Sequence, residues 1–190
     1  MNKLKFFSLL FLASTITVSA QKKYEINTEK SVVKWTGNKI GGSHNGLIKI
    51  KSGYFEVKKD FITSGSVEID MNSISNLDLK DATYNKQLIS HLKSEDFFGV
   101  DKYPTATFKV NKPIKFANGK ATLSGVITIK GKSENITFDI AQSGEGYSTQ
   151  LKVDRSKFDV RYGSKSFFDN LGDKVIDDIF ILDIQIVLKD

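Results

Sequence analysis

The stretch DIFILDIQIVLK, residues 178–189, decides the fold. Phe180, Leu182, Ile184, Ile186 and Leu188 occupy alternate positions, with Asp183 and Gln185 between them. A strand turns successive side chains to opposite faces, so this spacing predicts a strand with one continuous apolar face. Working back along the chain, the same two-residue period returns in SVVKWTGNK (31–39), GLIKIKSGYFEV (46–57), SGSVEID (64–70) and TATFKV (105–110). It continues in ATLSGVITIK (121–130), NITFDI (135–140) and YSTQLKV (147–153). Clusters of Gly, Asn, Asp and Ser separate these runs, and Asn118-Gly119 is a hairpin signal. The count is about eight antiparallel strands, a number that permits closure into a small barrel. Gly53 is read as a bulge or bend in its strand.

One segment breaks the period. Between Asn76 and Phe98, Tyr84, Leu88 and Leu92 recur four apart, with Ile89 beside them. This spacing predicts a helix with one apolar stripe. Asp78 is read as its cap or first-turn charge, Gly99 as its stop, and Pro104 as the opening of the next strand.

The beginning of the chain has a different character. MNKLK is basic, FFSLLFLASTITV is apolar, and VSA precedes Gln21. The order is that of a secretory signal over residues 1–20, with cleavage near Ala20 and Gln21. The expected domain is then 21–190, in a periplasmic or secreted protein. Without Lys3 and Lys5 the chain carries 26 basic against 22 acidic residues, spread evenly. No basic block or repeated aromatic-basic motif is present, which argues against nucleic acid as a partner. A transient contact with a membrane surface is compatible with the mild positive charge. Cysteine is absent, which excludes thiol catalysis, disulfides and cysteine-ligated zinc.

Polar residues with chemical potential are few. His91, Glu95, Asp96 and Asp101 cluster in HLKSEDFFGVDKYPTATF (91–108), and His44 sits between glycines in GGSHNG (41–46). Neither stretch has the spacing of a metal site or an activated nucleophile. His91 is read as facing water, with Glu95 as at most a surface partner. Arg155 and Arg161 are the only arginines. Arg155 is assigned to an internal pair with Asp173, Asp177 or Asp178, and Arg161 is left more open. The stronger feature is apolar, since fourteen Phe and one Trp are many aromatics for one sheet protein. Periodicity alone leaves a filled and a ligand-holding interior as alternatives.

Several of these stretches together resemble one family. HLKSEDFFGVDKYPTATF is similar to the "HL-x-S-x-DFF-x-V-x-x-YP-x-x-x-F" pattern of the YceI-like proteins. SVVKW, LSGVITIKGKSENITFDI, VDRSKFDV and LGDKVIDDIFILDIQI resemble further family segments in the same order, over about residues 24–188. GGSHNG and ENITFDI depart from the family pattern. The resemblance implies an all-β fold with a short helical insertion, an eight-stranded antiparallel lipocalin-like β-barrel. It also implies an exported protein that holds a polyisoprenoid, a quinone-like lipid or a similar amphiphile inside the barrel, for carriage or storage. No other cofactor and no metal is expected, and no catalysis.

On that reading the walls come from the inward strand faces. They are Val33, Trp35, Ile48, Ile50, Val67, Ile69 and Phe108, then Ile127, Ile129, Phe138, Ile140, Phe158, Phe180, Leu182 and Ile184. Tyr84, Leu88, Leu92, Phe97 and Phe98 form a lid, and His44 and Arg161 are the polar residues of the mouth. The competing readings are an acid/base or metal-dependent enzyme using His44 and His91, and a structural barrel filled by its own side chains. The oligomeric state stays open, a dimer included.

Overall fold

The computed structural model describes residues 20–189. The expected leader, residues 1–20, lies outside them except for Ala20. The elements are β1 Lys22–Glu25, β2 Val32–Lys39, β3 Gly42–Lys58, β4 Phe61–Asp70, α1 Ala82–Lys93, β5 Thr105–Val110 and β6 Ile114–Lys115. They continue with β7 Lys120–Ile129, β8 Lys132–Ser143, β9 Gly146–Asp154 and β10 Ile176–Val187.

Eight strands close a ring in the order β3-β2-β10-β9-β8-β7-β5-β4, and β4 pairs back onto β3. Every pairing is antiparallel. The strands read from the alternation therefore close, and the all-β, eight-stranded barrel that the resemblance implies is the fold. Two short strands lack a sequence signal, because four and two residues are too few to display a period. Each shares a ring position with a longer strand. β1 runs beside the second half of β3, and β2 runs beside the first half. β6 meets the start of β4, and β5 meets its end.

Local chemistry sets the tight turns. Asn118 and Gly119 take φ of 52° and 73°, and Ala117 and Lys120 exchange backbone hydrogen bonds across them. Lys130 and Gly131 repeat that handedness between β7 and β8, with φ of 49° and 74°. Positive φ at both central positions matches the right-handed twist of the flanking strands.

The helix is shorter than the spacing predicts. It starts at Ala82, and Asp81 rather than Asp78 caps it, accepting from the backbone N–H of Thr83 and Tyr84. It stops at Lys93, before Glu95, so the anticipated helical His91–Glu95 pair does not form. The upstream residues are recruited elsewhere. β4 leaves β3 at the Asp70–Lys49 pair, which strips one edge of β3 of its partner. The segment 75–77 takes that edge, with Ser75 and Leu77 N–H donating to Leu47 and Asn45 carbonyls, both at 2.9 Å. An edge left unpaired costs hydrogen bonds, so this strap wins over another turn of helix.

The interior packs as two clusters. One centres on Ile26, Phe55, Ile62, Ile114, Phe116 and Tyr147, at the end where β1 and β6 pack. The other centres on Met71, Phe97, Val100, Val153, Phe158 and Val160, beneath α1 and the connection from β9 to β10. Among the described residues no helix is long and apolar enough to cross a membrane.

Candidate functional site

Between the two clusters lies a cavity of about 400 Å³. Its walls are the inward faces of the strands. Val33, Trp35, Ile48, Ile50, Val67, Ile69 and Phe108 line it, as do Ile127, Ile129, Phe138, Ile140, Phe180, Leu182 and Ile184. Several of these side chains point into the barrel yet stay only partly buried, among them Trp35, Val67, Ile69, Phe108, Phe138 and Leu182. Inward-facing apolar groups in a filled barrel would be fully covered.

The covering elements are α1 and the segment after it. Leu88, Leu92, Phe97 and Phe98 all face the cavity. α1 has no fully buried residue, so it lies across the opening rather than packing into a core.

Three residues named from the sequence sit elsewhere. Tyr84 is 64% exposed and lines nothing, because its first-turn position carries it clear of the opening. Phe158 lies in the 3₁₀ turn after β9, outside the two-residue period, and packs into the core beside Val153 and Val160. Arg161 is exposed. Its guanidinium sits 4.9 Å over the Phe167 ring, and its Nε donates to Asp159 Oδ1. His91 is not water-facing. It lines the cavity edge-on between Tyr162 and Phe97, at centroid distances of 4.3 and 5.6 Å.

Other wall residues escaped the sequence reading. Leu123 and Ile186 are in phase with named neighbours, and Leu151 shares the inward phase of Tyr147 and Val153 in β9, so all three were readable from the alternation. Phe55 was not, because the register shifts between Ile50 and Ser52 and the inward positions change from even to odd. Met71 and Ile74 lie outside strands, where no period marks them.

The polar residues at the mouth are tied to protein partners. His44 Nδ1 lies 2.8 Å from Asp78 Oδ2, while Asp78 Oδ1 accepts from Asn45 N–H at 2.8 Å and from Asn76 Nδ2 at 2.6 Å. Burial opposes the charge on Asp78, but the hydrogen bonds from Asn45, His44 and Asn76 outweigh it and hold the carboxyl below its ordinary range. Trp35 Nε1 donates to Ser75 O at 3.0 Å, a second tie from the wall to the strap.

Arg155 is 2% exposed and spends its donors on backbone. Nε reaches Asp177 O, one terminal nitrogen reaches Val160 O and Tyr162 O, and the other reaches Ile176 O. That second nitrogen also lies 3.4 Å from Asp178 Oδ1, an ion-pair contact without hydrogen-bond geometry. The internal pair expected for Arg155 is present, and it knots the 159–178 connection against the barrel. Burial lowers the guanidinium pKa, and Asp178, Asp154 and Asp177 draw it partly back. Among the described residues, no group of three or more His, Asp or Glu is placed to hold a metal.

A barrel closed by eight antiparallel strands, crossed by one helix and enclosing an apolar cavity, invites comparison with known proteins. The YceI-like domain family matches residues 24–188. This chain belongs to that family. A UPF0312 protein of Vibrio parahaemolyticus is 27% identical over 184 residues, covering 89% of this chain and 95% of its own. Protein YceI of Escherichia coli O157:H7 is 28% identical over 144 residues, covering 75% of this chain and 72% of its own. The crystal structure of Burkholderia cenocepacia BcnA superposes with a TM-score of 0.65 at 26% identity, over 85% of this chain and 98% of that one. A polyisoprenoid binding domain from Saccharophagus degradans shares the fold, with a TM-score of 0.57 at 13% identity over 86% of this YceI-like chain and 95% of that one.

Proposed function

We propose that this YceI-like barrel holds a long-chain isoprenoid or a similar amphiphilic lipid, quinone-type lipids included, and carries or stores it without transforming it. The observation that carries the reading is the apolar cavity of about 400 Å³, whose wall side chains point inward and remain partly uncovered. A prenyl tail buried there gains about 25 cal/mol per Å² of apolar surface removed from water. Only the head group then needs polar contacts, and His44, Lys39 and Asn38 are among the polar residues that line the cavity. The fold shared with a polyisoprenoid binding domain agrees with this reading.

Holding rather than catalysis is supported by how the two histidines are engaged. His44 is paired with Asp78, and His91 is packed between aromatic rings. Export is part of the same proposal, supported by the leader-like composition of residues 1–20, and intact mass of a mature protein beginning near Gln21 is the check. Ile40, Tyr162, Phe167 and Phe168 are exposed on turns at the α1 end. These apolar side chains and the mild positive charge of the chain support a transient contact with a bilayer surface.

The test is organic extraction of the purified protein, with native mass spectrometry before and after. A one-to-one adduct that extraction removes and added prenol restores is the expected result. A protein that carries no adduct and takes up no prenol would refute the reading.

A further inference from the structure

The cavity is not equally closed at its two ends, and this bears on which isoprenoids fit. At the end remote from α1 the lining ends at Phe55 and Tyr147. Their rings meet edge to face at 5.4 Å. Phe116 stacks on Tyr147 at 5.5 Å from behind and does not face the cavity. Ile26, Ile62 and Ile114 are buried around the same cluster, again without facing the cavity. The three rings therefore form a plug with solid core behind it.

The plug is fixed by the strands beneath it. Phe55 is paired across β3 and β4 with Gly65. A Cβ at Gly65 would fall 2.5 Å from Phe55 Cδ1, so the ring lies directly on the glycine backbone. An aromatic ring seated on a cross-strand glycine has little freedom to swing aside. Phe55, Phe116 and Tyr147 are 4%, 7% and 9% exposed, which leaves them no room to retreat.

We infer that the Phe55–Tyr147–Phe116 plug sets the length of tail the cavity accepts, and that the ligand is a single prenyl chain of roughly sixteen carbons in its buried part. The inference rests on the lipid-holding reading proposed above. The length comes from volume. An apolar cavity of about 150 Å³ takes one benzene, or about 25 Å³ per carbon. At that density 400 Å³ holds roughly sixteen carbons, between the tails of farnesol and geranylgeraniol. Isoprene units beyond that length have no wall to meet. They remain at the α1 end, in water, and add nothing to binding.

The experiment uses the full chain, expressed and purified, then stripped by organic extraction. Geraniol, farnesol, geranylgeraniol and solanesol, which lengthen in that order, compete against dansyl-farnesol. Binding tightens by at least about tenfold per isoprene unit up to farnesol, then stays nearly level through geranylgeraniol to solanesol. Tyr147→Ala opens the way to Phe116 and extends the tenfold gain to geranylgeraniol over farnesol. Leu123→Phe, which fills the space beside the plug, brings the plateau down to geraniol. Circular dichroism reports whether each variant folds, and if Tyr147→Ala does not, Leu123→Phe decides. The proposal is overturned if the unaltered protein binds solanesol at least tenfold more tightly than geranylgeraniol. It is also overturned if folded variants keep the unaltered ranking. Binding of none of the four prenols removes the lipid-holding reading itself, and the length proposal with it.

Discussion

The two ends of the barrel are held by different forces. At the plug end, Ile26, Phe55, Ile62, Ile114, Phe116 and Tyr147 are buried against one another with few polar groups among them. At the α1 end the ties are polar: the strap hydrogen bonds of 75–77, the His44–Asp78 pair, and the Arg155 fan onto four carbonyls. Apolar packing is dense and hard to open locally. Hydrogen-bonded loops open at lower free energy than the core does. On the proposed lipid-holding reading, the contrast assigns stability to one end and access to the other.

The largest expected effect falls on the plug end. Phe116→Ala removes a buried ring from behind the cavity and costs about 3–5 kcal/mol, read from urea unfolding. A loss below about 1 kcal/mol would erase the contrast between the ends. Next comes Arg155→Ala, which strips four carbonyls and Asp178 of their partner and costs about 3 kcal/mol. It differs in kind, because hydrogen exchange should accelerate first in residues 159–178 and leave the amides of β7 and β8 protected.

Asp78→Ala is smaller, about 1–2 kcal/mol, from three lost hydrogen bonds at a partly exposed site. Its pH dependence sharpens the point. The folded carboxyl titrates below its ordinary 3.8, so its contribution is complete above that pH and is lost as pH falls through the lower folded value. Asp178 is depressed too, its burial outweighed by Ser164, Ser166 and Arg155, and it acts in the same direction. Asp78→Asn should therefore flatten part of the acid limb of stability, measured as urea midpoints between about pH 5 and 2. The smallest stability effect belongs to Leu88→Ala, below about 1 kcal/mol, because this lid residue is only partly buried. Its effect should appear instead as faster dissociation of bound prenol in stopped-flow release.

What the sequence made legible follows the same divide. Strand alternation exposed most of the apolar wall, because one buried face imposes a strict two-residue period. The register shift after Ile50 hid Phe55, since a local irregularity reverses which parity points inward. At the α1 end, period carries less information. Asn76 to Lys80 fit a helix by spacing, yet the open edge of β3 claims the backbone of Ser75 and Leu77, and Asn76 Oδ1 accepts from Leu79 N–H. Tyr84 fits the apolar stripe of α1, but the helix projects past the opening at that point. Of the two arginines, sequence placed Arg155 inside because it sits close to its strand, with Asp173, Asp177 or Asp178 as the partner, and Asp178 is the one it meets. Arg161 was placed at the mouth, and its nearby Asp159 draws it to the surface instead.

The central claim is that the barrel interior is a container for an apolar chain, and one comparison tests it most directly. Val67 faces the cavity and is only partly buried, so Val67→Phe adds bulk where there is room for it. Isothermal titration with farnesol, run beside thermal unfolding, reads binding and stability together. The account predicts one-to-one binding by the unaltered protein, and at least tenfold weaker binding by Val67→Phe at a melting temperature that is unchanged or higher. Equal farnesol affinity in the two folded proteins would contradict it.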